Sequence, residues 1–191
     1  FSAVYFMPFA VTHVLVAIII AELLRDYVFR KKFPLHYVLI AGIAGMLPDL
    51  DVLFVIFRGL PISSALQGNA MSLHPSFTHS ILWIPIFLAL ASAFLWLEKK
   101  GRVKPIEMIF LRHKLKISGI LFICALGIAI HLGLDSTLTG FLRVGFFTKP
   151  IGLNLIPFNQ FGNMVLSSID AVLLVLWLVH EEIRHKISRF I

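Results

Sequence analysis

Two carboxylates stand one residue apart in the segment GMLPDLDVLF, which is otherwise apolar. They are Asp49 and Asp51, and a charged side chain at the centre of a bilayer costs roughly 2.5–3.5 kcal/mol on insertion scales. A regular helix would point the two carboxylates in different directions, but Pro48 and the nearby glycines allow a kink or break that re-aims both. We therefore expect a cation to offset the burial of these carboxylates, with helix capping as the alternative.

Imidazole groups occur in three further segments. His13 lies within the first apolar stretch, and HPSFTHS holds His74 and His79 on either side of a Pro-Ser turn. In HLGLDSTLTG, His131 and Asp135 are four residues apart and share one face of a helix. Each also has an ordinary explanation, because His13 can be a hydrogen-bonding group between helices and His131 can simply pair with Asp135.

Together these side chains form the donor set of a nitrogen and oxygen metal site. Mixed imidazole and carboxylate ligands suit Zn²⁺, Mn²⁺ and Fe²⁺, and they suit Mg²⁺ less well. Cys124 is the single cysteine, which excludes a thiolate cluster and a disulfide within the chain. We expect one or two divalent metal ions, with zinc ahead of manganese and iron. The predicted ligands are His13, Asp49, Asp51, His79, His131 and Asp135.

Five apolar segments are long enough to position these residues as membrane helices. The chain has 191 residues, of which 59% are hydrophobic and 14% are charged, whereas soluble domains have about 25% charged residues. Crossing the hydrocarbon of a bilayer requires roughly 20 apolar residues. These features predict an all-α integral membrane protein, a bundle of about five transmembrane helices in a single domain over residues 1–191. The predicted spans are 3–24, 36–57, 79–97, 117–136 and 164–180.

Lys and Arg are distributed unevenly among the connections between these spans. The connections after the first and third spans and the C-terminal tail are rich in both, while the other two connections hold few. This alternation predicts a multi-pass protein of the cell membrane with its N-terminus outside and its C-terminus in the cytoplasm. The net charge of +7 then lies near anionic lipid, so membrane lipid is the expected partner and nucleic acid is not.

With this orientation the imidazoles and carboxylates gather in the outer half of the membrane, which predicts a metal site near the extracytoplasmic side. Asp170 falls at the same depth, where it either pairs with a Ser or His or contacts the metal. The cytoplasmic half offers little beyond Glu22, which we expect to snorkel or to pair with Arg25. His180, beside a basic cluster, is expected to be a solvated interfacial group.

Four short motifs occur in order: Thr12-His13, Pro48-Asp49-Leu50-Asp51, the stretch His74 to Ser80, and the stretch His131 to Gly140. On these motifs the chain resembles the bacterial and archaeal membrane-bound metal-dependent hydrolases, also described as LexA-binding, inner-membrane-associated hydrolases. The resemblance covers roughly residues 12–160. It departs from the family pattern at Pro75-Ser76, where the family usually has Arg-Gly, and this departure leaves the substrate class open.

The resemblance implies a metal-dependent hydrolase that acts through a metal-activated water. A site at membrane depth favours a lipid or lipid-linked ester as substrate, with a phosphoester ahead of a carboxylic ester or amide. Asp51 would act as general base where it is not a ligand, and His74 is the second catalytic candidate. Three threonines are expected to orient ligands or to bind substrate: Thr78, Thr137 and Thr139.

Two other functions fit the same residues. A transporter for a metal ion or a proton also places ionisable groups within the membrane, but it needs polar groups on both sides of the midplane. A non-enzymatic membrane protein would hold the metal as a structural element, with every coordination position filled by protein. The number of protein ligands at the site distinguishes the catalytic from the structural alternative.

Overall fold

The computed structural model describes residues 9–29, 34–50, 77–106, 114–138, 142–145, 149, 151–153, 155–156 and 160–186. These residues form five α-helices, with isolated bridges and no β-strand, so the predicted all-helical class is confirmed for the described part of the chain. The helices are α1 (Phe9–Leu23), α2 (His36–Ala44), α3 (Trp83–Lys99), α4 (Ile117–Leu138) and α5 (Gln160–His185).

Two of these helices are long and apolar enough to cross a membrane, namely α4 and the part of α5 over Met164–Arg184. The sequence predicted about five such spans. Within the described residues, α1, α2 and α3 have 15, 9 and 17 residues, and α1 continues into a five-residue π turn over Leu24–Val28. The described residues therefore support a membrane protein in which two helices, fewer than the five predicted spans, have spanning length.

The predicted second span, 36–57, is not one continuous helix. α2 ends at Ala44, and the chain then enters a 3₁₀ turn over Pro48–Leu50. Pro48 has no amide hydrogen for the Ala44 carbonyl, so the α-helical ladder cannot continue through it; the Leu47 amide donates to Ala44 instead, over 3.1 Å. The break expected from Pro48 and its glycines thus occurs, and residues 51–57 lie outside the described residues.

The predicted start of the third span at His79 is wrong. His79 ends a 3₁₀ turn over Phe77–His79, and α3 begins only at Trp83. The backbone between these two points forms hydrogen bonds with Arg143. The Arg143 amide donates to the His79 carbonyl over 3.1 Å, and the Ile81 amide donates to the Arg143 carbonyl over 2.8 Å. Because these groups bond to a distant segment, they are not available to begin a helix at His79.

α4 is the central helix and packs against α1, α2 and α3, while α5 packs against α1. Gly127 on α4 sets the approach to α2, because a Cβ atom added there would lie 2.6 Å from the Ala44 Cβ. Small residues allow this close approach between membrane helices. It brings the end of α2, at Gly45, beside the second half of α4.

The buried apolar core and the surface are divided unevenly between the helices. In the most apolar stretch of α4, 39% of the residues are buried, compared with only 11% in that of α5. α4 is therefore interior, whereas α5 presents most of its apolar surface to the surroundings. The main cluster of buried apolar side chains joins α1, α2 and the first part of α4. It consists of Ala21, Tyr37, Val38, Ala41, Leu115 and Ile123.

Candidate functional site

Five of the predicted ligands meet at one point, here called the outer centre. They come from four separate elements: His13 from α1, Asp49 from the turn after α2, His79 from the turn before α3, and His131 with Asp135 from α4. Two overlapping groups of potential ligand atoms each lie within 4.8 Å, one with His13, His131 and Asp135 and the other with Asp49, His79 and His131. Residues far apart in sequence therefore form a single donor cluster.

The two breaks in the helices position Asp49 and His79. Both residues lie in 3₁₀ turns at the end of the bundle, so their side chains can turn towards α4 rather than follow a helical register. His131 and Asp135 keep the i,i+4 spacing on α4, and their Nε2 and Oδ2 atoms lie 3.1 Å apart. Gly45 allows α1 to pack closely against the end of α2 at this centre, since an added Cβ would lie only 3.0 Å from the His13 carbonyl oxygen.

The orientation of His131 is set by the backbone at the end of α2. Its Nδ1 lies 2.6 Å from the Gly45 carbonyl oxygen, and a carbonyl can only accept, so Nδ1 carries the hydrogen. Nε2 faces the centre, where it could coordinate an ion through its lone pair. Hydrogen bonding of the remote ring nitrogen in this way is the usual arrangement of metal-binding histidines. His79 is similar, because the Thr78 hydroxyl lies 3.3 Å from its Nδ1.

Five short separations join four potential ligand atoms of the outer centre. His131 Nε2 lies 3.4 Å from His79 Nε2, 3.1 Å from Asp135 Oδ2 and 3.5 Å from Asp49 Oδ1. His79 Nε2 lies 3.4 Å from Asp135 Oδ2 and 3.5 Å from Asp49 Oδ1. Ligands at the 2.0–2.1 Å bond lengths of zinc, arranged as a tetrahedron, are about 3.3–3.4 Å apart. Each of these five separations is therefore close to the separation of two ligands on one ion of that size.

The chemistry of these four groups also fits a cation. Ionised carboxylates only accept hydrogen bonds, and an imidazole that carries its hydrogen on Nδ1 alone faces them with an acceptor nitrogen. Acceptors at such short range repel one another unless a proton or a metal ion lies among them. The two carboxylates carry a formal charge of −2, which a divalent ion would balance.

His13 completes the centre on the side of α1. Its Nε2 lies 3.2 Å from Asp135 Oδ1, while Asp135 Oδ2 faces His79 and His131. The His13 ring also stacks on the His131 ring, with centroids 4.0 Å apart and planes at 26°. This geometry allows His13 either to be a fifth ligand or to hold Asp135 in place by contacting Oδ1 of its carboxylate.

Asp49 is the more exposed of the two carboxylates. The three imidazoles are buried, and the Asp49 side chain is 18% exposed compared with 10% for Asp135. Large apolar side chains close in sequence to Asp49 and His79 are themselves exposed: Met46, Leu50, Ile81 and Leu82.

The remaining predicted residues are placed as follows. Thr78 contacts His79 and so has the position expected of a residue that orients a ligand. The Thr137 hydroxyl donates back to the carbonyls of Gly133 and Leu134 in its own helix, each over 3.0 Å, rather than towards the centre. Three predicted residues lie outside the described residues: Asp51, His74 and Thr139.

Several contributors were not singled out from the sequence. The Gly45 carbonyl carries no side-chain signal, although the Gly-Met-Leu-Pro break marks its segment. The pairing of Arg143 with the His79 backbone joins two loops with no recognisable motif. Asp170, expected at this depth, lies on α5 beside Thr12 and His13.

Comparison with known proteins identifies the family. No curated protein and no solved structure matches the chain. A family model described as the YdjM inner membrane protein matches residues 7–190, which is nearly the entire sequence. The inner membrane in that description agrees with the two apolar helices of spanning length. The chain thus belongs to the YdjM inner membrane protein family.

Proposed function

We propose that this protein is a membrane-embedded metal-dependent hydrolase that acts on a lipid or lipid-linked ester. The observation that carries the proposal is the convergence of two imidazole Nε2 atoms and two carboxylate oxygens, with five of their separations between 3.1 and 3.5 Å. A divalent ion held there would act as a Lewis acid and would lower the pKa of a water towards about 7. Zinc suits the donor set best, and manganese or iron are alternatives.

His79, His131 and Asp135 are the best candidates for permanent ligands. They are the less exposed members of the set, and their mutual separations are the shorter ones, from 3.1 to 3.4 Å. His13 supports them, because its Nε2 contacts Oδ1 of Asp135 and so fixes the orientation of that carboxylate. Three protein ligands of this kind are typical of catalytic zinc sites, which keep one position open.

Asp49 has the features of a residue that handles protons or yields to substrate. It lies in a turn rather than a helix, it is the more exposed carboxylate, and its oxygen is 3.5 Å from both imidazoles. A carboxylate at this position would accept a proton from the attacking water as general base. The sequence assigned that role to Asp51, which lies outside the described residues and stays a second candidate.

Exposed apolar side chains near the outer centre support a substrate with hydrocarbon chains. Met46, Leu50, Ile81 and Leu82 are each 38–43% exposed and lie within three residues of Asp49 or His79 in sequence. An acyl or isoprenoid chain lying against these side chains would bring its ester group to Asp49. A phosphoester is the first choice, because its charged oxygens are good ligands for a divalent ion, and a carboxylic ester or amide is the second.

The same proposal includes the membrane topology. Five crossings, with the N-terminus outside and the C-terminus in the cytoplasm, would place the outer centre near the extracytoplasmic surface, and the alternation of Lys and Arg among the connections supports this orientation. Reporter enzymes fused at the C-terminus and in the connection at residues 99–116 test it. Both fusions should report the cytoplasm, and an extracytoplasmic signal from either would overturn the orientation.

The function is tested with purified protein by measuring bound metal and the cleavage of phospholipids and matched carboxylic esters. Asp135→Asn and His131→Ala should each lose metal and at least about 100-fold in activity, as expected when a ligand is removed. Glu182→Gln, an exposed change on α5, is the control and should match the wild type. Wild-type protein that neither retains nor takes up Zn²⁺, Mn²⁺ or Fe²⁺ would overturn the proposal.

A structural metal is the second candidate function. It is favoured by the number of donors, because His79, His131, Asp49 and Asp135 suffice to fill a tetrahedron. The two alternatives differ in the behaviour of Asp49→Ala. If the site is catalytic with Asp49 as base, this variant retains metal and loses hydrolysis; if the site is structural, it loses metal and thermal stability together.

A further inference from the structure

We infer a second divalent-cation site at the opposite end of the bundle, formed by Glu22 on α1 with His180 and Glu181 on α5. One potential ligand atom from each of these residues lies within 4.8 Å of the others. The site is called the inner site here, since the Lys and Arg distribution assigns this end to the cytoplasm. It does not depend on the proposed hydrolase function.

Glu22 is the buried member of the inner site. It is only 2% exposed, which contradicts the expected snorkelling, while the alternative pairing with Arg25 stays a prediction. The Trp177 indole donates to its Oε2 over 2.8 Å and thereby fixes the direction of the carboxylate. A buried carboxylate is costly unless positive charge or hydrogen bonds compensate it, and a fixed carboxylate that faces an imidazole is a common element of metal sites.

The backbone of α1 changes immediately after Glu22. The next five residues, Leu24–Val28, form a π turn after Leu23 ends the α-helix. Turns of this kind are infrequent and are often found at functional sites. The turn also buries Asp26, which accepts from Arg25 over 3.2 Å, so a second carboxylate of this segment is held away from solvent.

His180 and Glu181 provide the accessible side of the inner site. Their side chains are 21% and 12% exposed, and His180 Nδ1 lies 3.9 Å from Glu181 Oε1. His180 was expected to be solvated, but it lies close to Glu22 where α5 packs against α1. Together with Glu22 they form one imidazole and two carboxylates, a donor set that suits Mn²⁺, Fe²⁺ or Zn²⁺.

His180 and Glu181 are further apart than the donors of the outer centre. Their closest nitrogen and oxygen atoms are separated by 3.9 Å, compared with 3.1–3.5 Å among the donors of the outer centre. Binding therefore requires the side chains of His180 and Glu181 to close on the ion, which lowers the affinity and makes the site reversible. A cation bound there would link α5 to α1, the helix against which α5 packs.

The inner site and the outer centre are separate. Between His13 and Glu22, α1 contains only the apolar residues 14–21, which span about 13 Å at 1.5 Å per residue. On α5, residues 171–176 between Asp170 and Trp177 are likewise all apolar. Neither helix offers a polar relay between the two sites, so this arrangement favours two independent cation sites over a transport path.

Quenching of Trp177 fluorescence by Co²⁺ tests the inner site directly. The full chain has three tryptophans, so the Trp83→Phe/Trp96→Phe background leaves Trp177 as the only reporter, in contact with Glu22. Co²⁺ added to the detergent-solubilised protein should quench this signal in a saturable manner. Glu181→Gln should raise the half-saturating Co²⁺ concentration by about tenfold or more, whereas Glu182→Gln, its exposed neighbour, should leave it unchanged.

The outcomes separate this inference from the proposed function. His131→Ala in the same background disables the outer centre and should leave the quenching of Trp177 intact. His180→Ala, which keeps both carboxylates, provides a second test if Glu181→Gln does not fold. Absence of saturable quenching, or equal quenching in Glu181→Gln, His180→Ala and the Glu182→Gln control, would overturn the inner site while leaving the hydrolase proposal standing.

Discussion

A single methyl group at Gly127 is predicted to disturb the outer centre, although Gly127 contacts none of its ligands. A Cβ atom there would lie 2.6 Å from the Ala44 Cβ and 2.9 Å from both the Ala44 carbonyl carbon and the Ala41 oxygen. Carbon atoms in ordinary contact are about 3.5–4.0 Å apart. In Gly127→Ala, α2 and α4 must therefore separate by about 1 Å, because the obstructing atoms belong to backbone and Cβ and cannot rotate away.

The separation has two consequences. Overpacking of this kind costs about 1–3 kcal/mol, which corresponds to a loss in Tm of roughly 2–4 °C per kcal/mol for a chain of this size. A shift of about 1 Å between the helices would also stretch the 2.6 Å contact between His131 Nδ1 and the Gly45 carbonyl to the limit of hydrogen bonding. Loss of such a supporting contact typically lowers metal affinity by about 10–100-fold.

The assay compares Gly127→Ala with Gly133→Ala. Both changes add one methyl group to α4, but a Cβ at Gly133 meets nothing within 4 Å, and Ala is favoured over Gly in a helix by up to about 1 kcal/mol. Thermal unfolding and Zn²⁺ competition with a chelator are measured for both. Gly127→Ala should lose stability and affinity, while Gly133→Ala should match or exceed the wild type. Equal values for the two variants would refute the argument that helix approach at Gly127 positions the centre.

Three further predictions concern stability. Tyr37→Phe removes the hydroxyl that accepts from the Lys116 amide over 3.0 Å, so we expect a loss of about 1–3 kcal/mol in unfolding free energy; an unchanged denaturation midpoint would contradict this. Glu98→Ala removes the carboxylate that accepts from the Ser118 amide and hydroxyl near the start of α4, over 3.1 and 2.6 Å. Glu98→Ala should lower the unfolding free energy, again measured by denaturation, by about 0.5–2 kcal/mol. Glu98→Gln should lower it less, because the amide oxygen can still accept a hydrogen bond. Treatment with a chelator should lower Tm, and Zn²⁺ should restore it where Mg²⁺ does not, because imidazole-containing sites discriminate against Mg²⁺; equal rescue by Mg²⁺ would contradict the zinc-type site.

The sequence predicted which side chains lie close together better than it predicted the lengths of the helices. The i,i+4 spacing of His131 and Asp135 identified their shared face, since helical periodicity is a local property. Pro48 likewise predicted the break after α2, because its lack of an amide hydrogen interrupts the helical hydrogen bonds of its own segment. The late start of α3 was missed, since it depends on backbone pairing with Arg143, more than 60 residues away.

Composition and motifs alone determined that the chain is helical and apolar, and that it contains imidazole and carboxylate groups able to bind a metal ion. These properties depend on residue type and local spacing, which a sequence displays directly. The tertiary structure decided which donors meet: it placed Asp49, His79 and His131 within 3.5 Å of one another and brought Glu22 to His180 across two helices. Those encounters depend on how closely the helices approach, at Gly127 above all, and that approach is a property of facing surfaces rather than of any one segment.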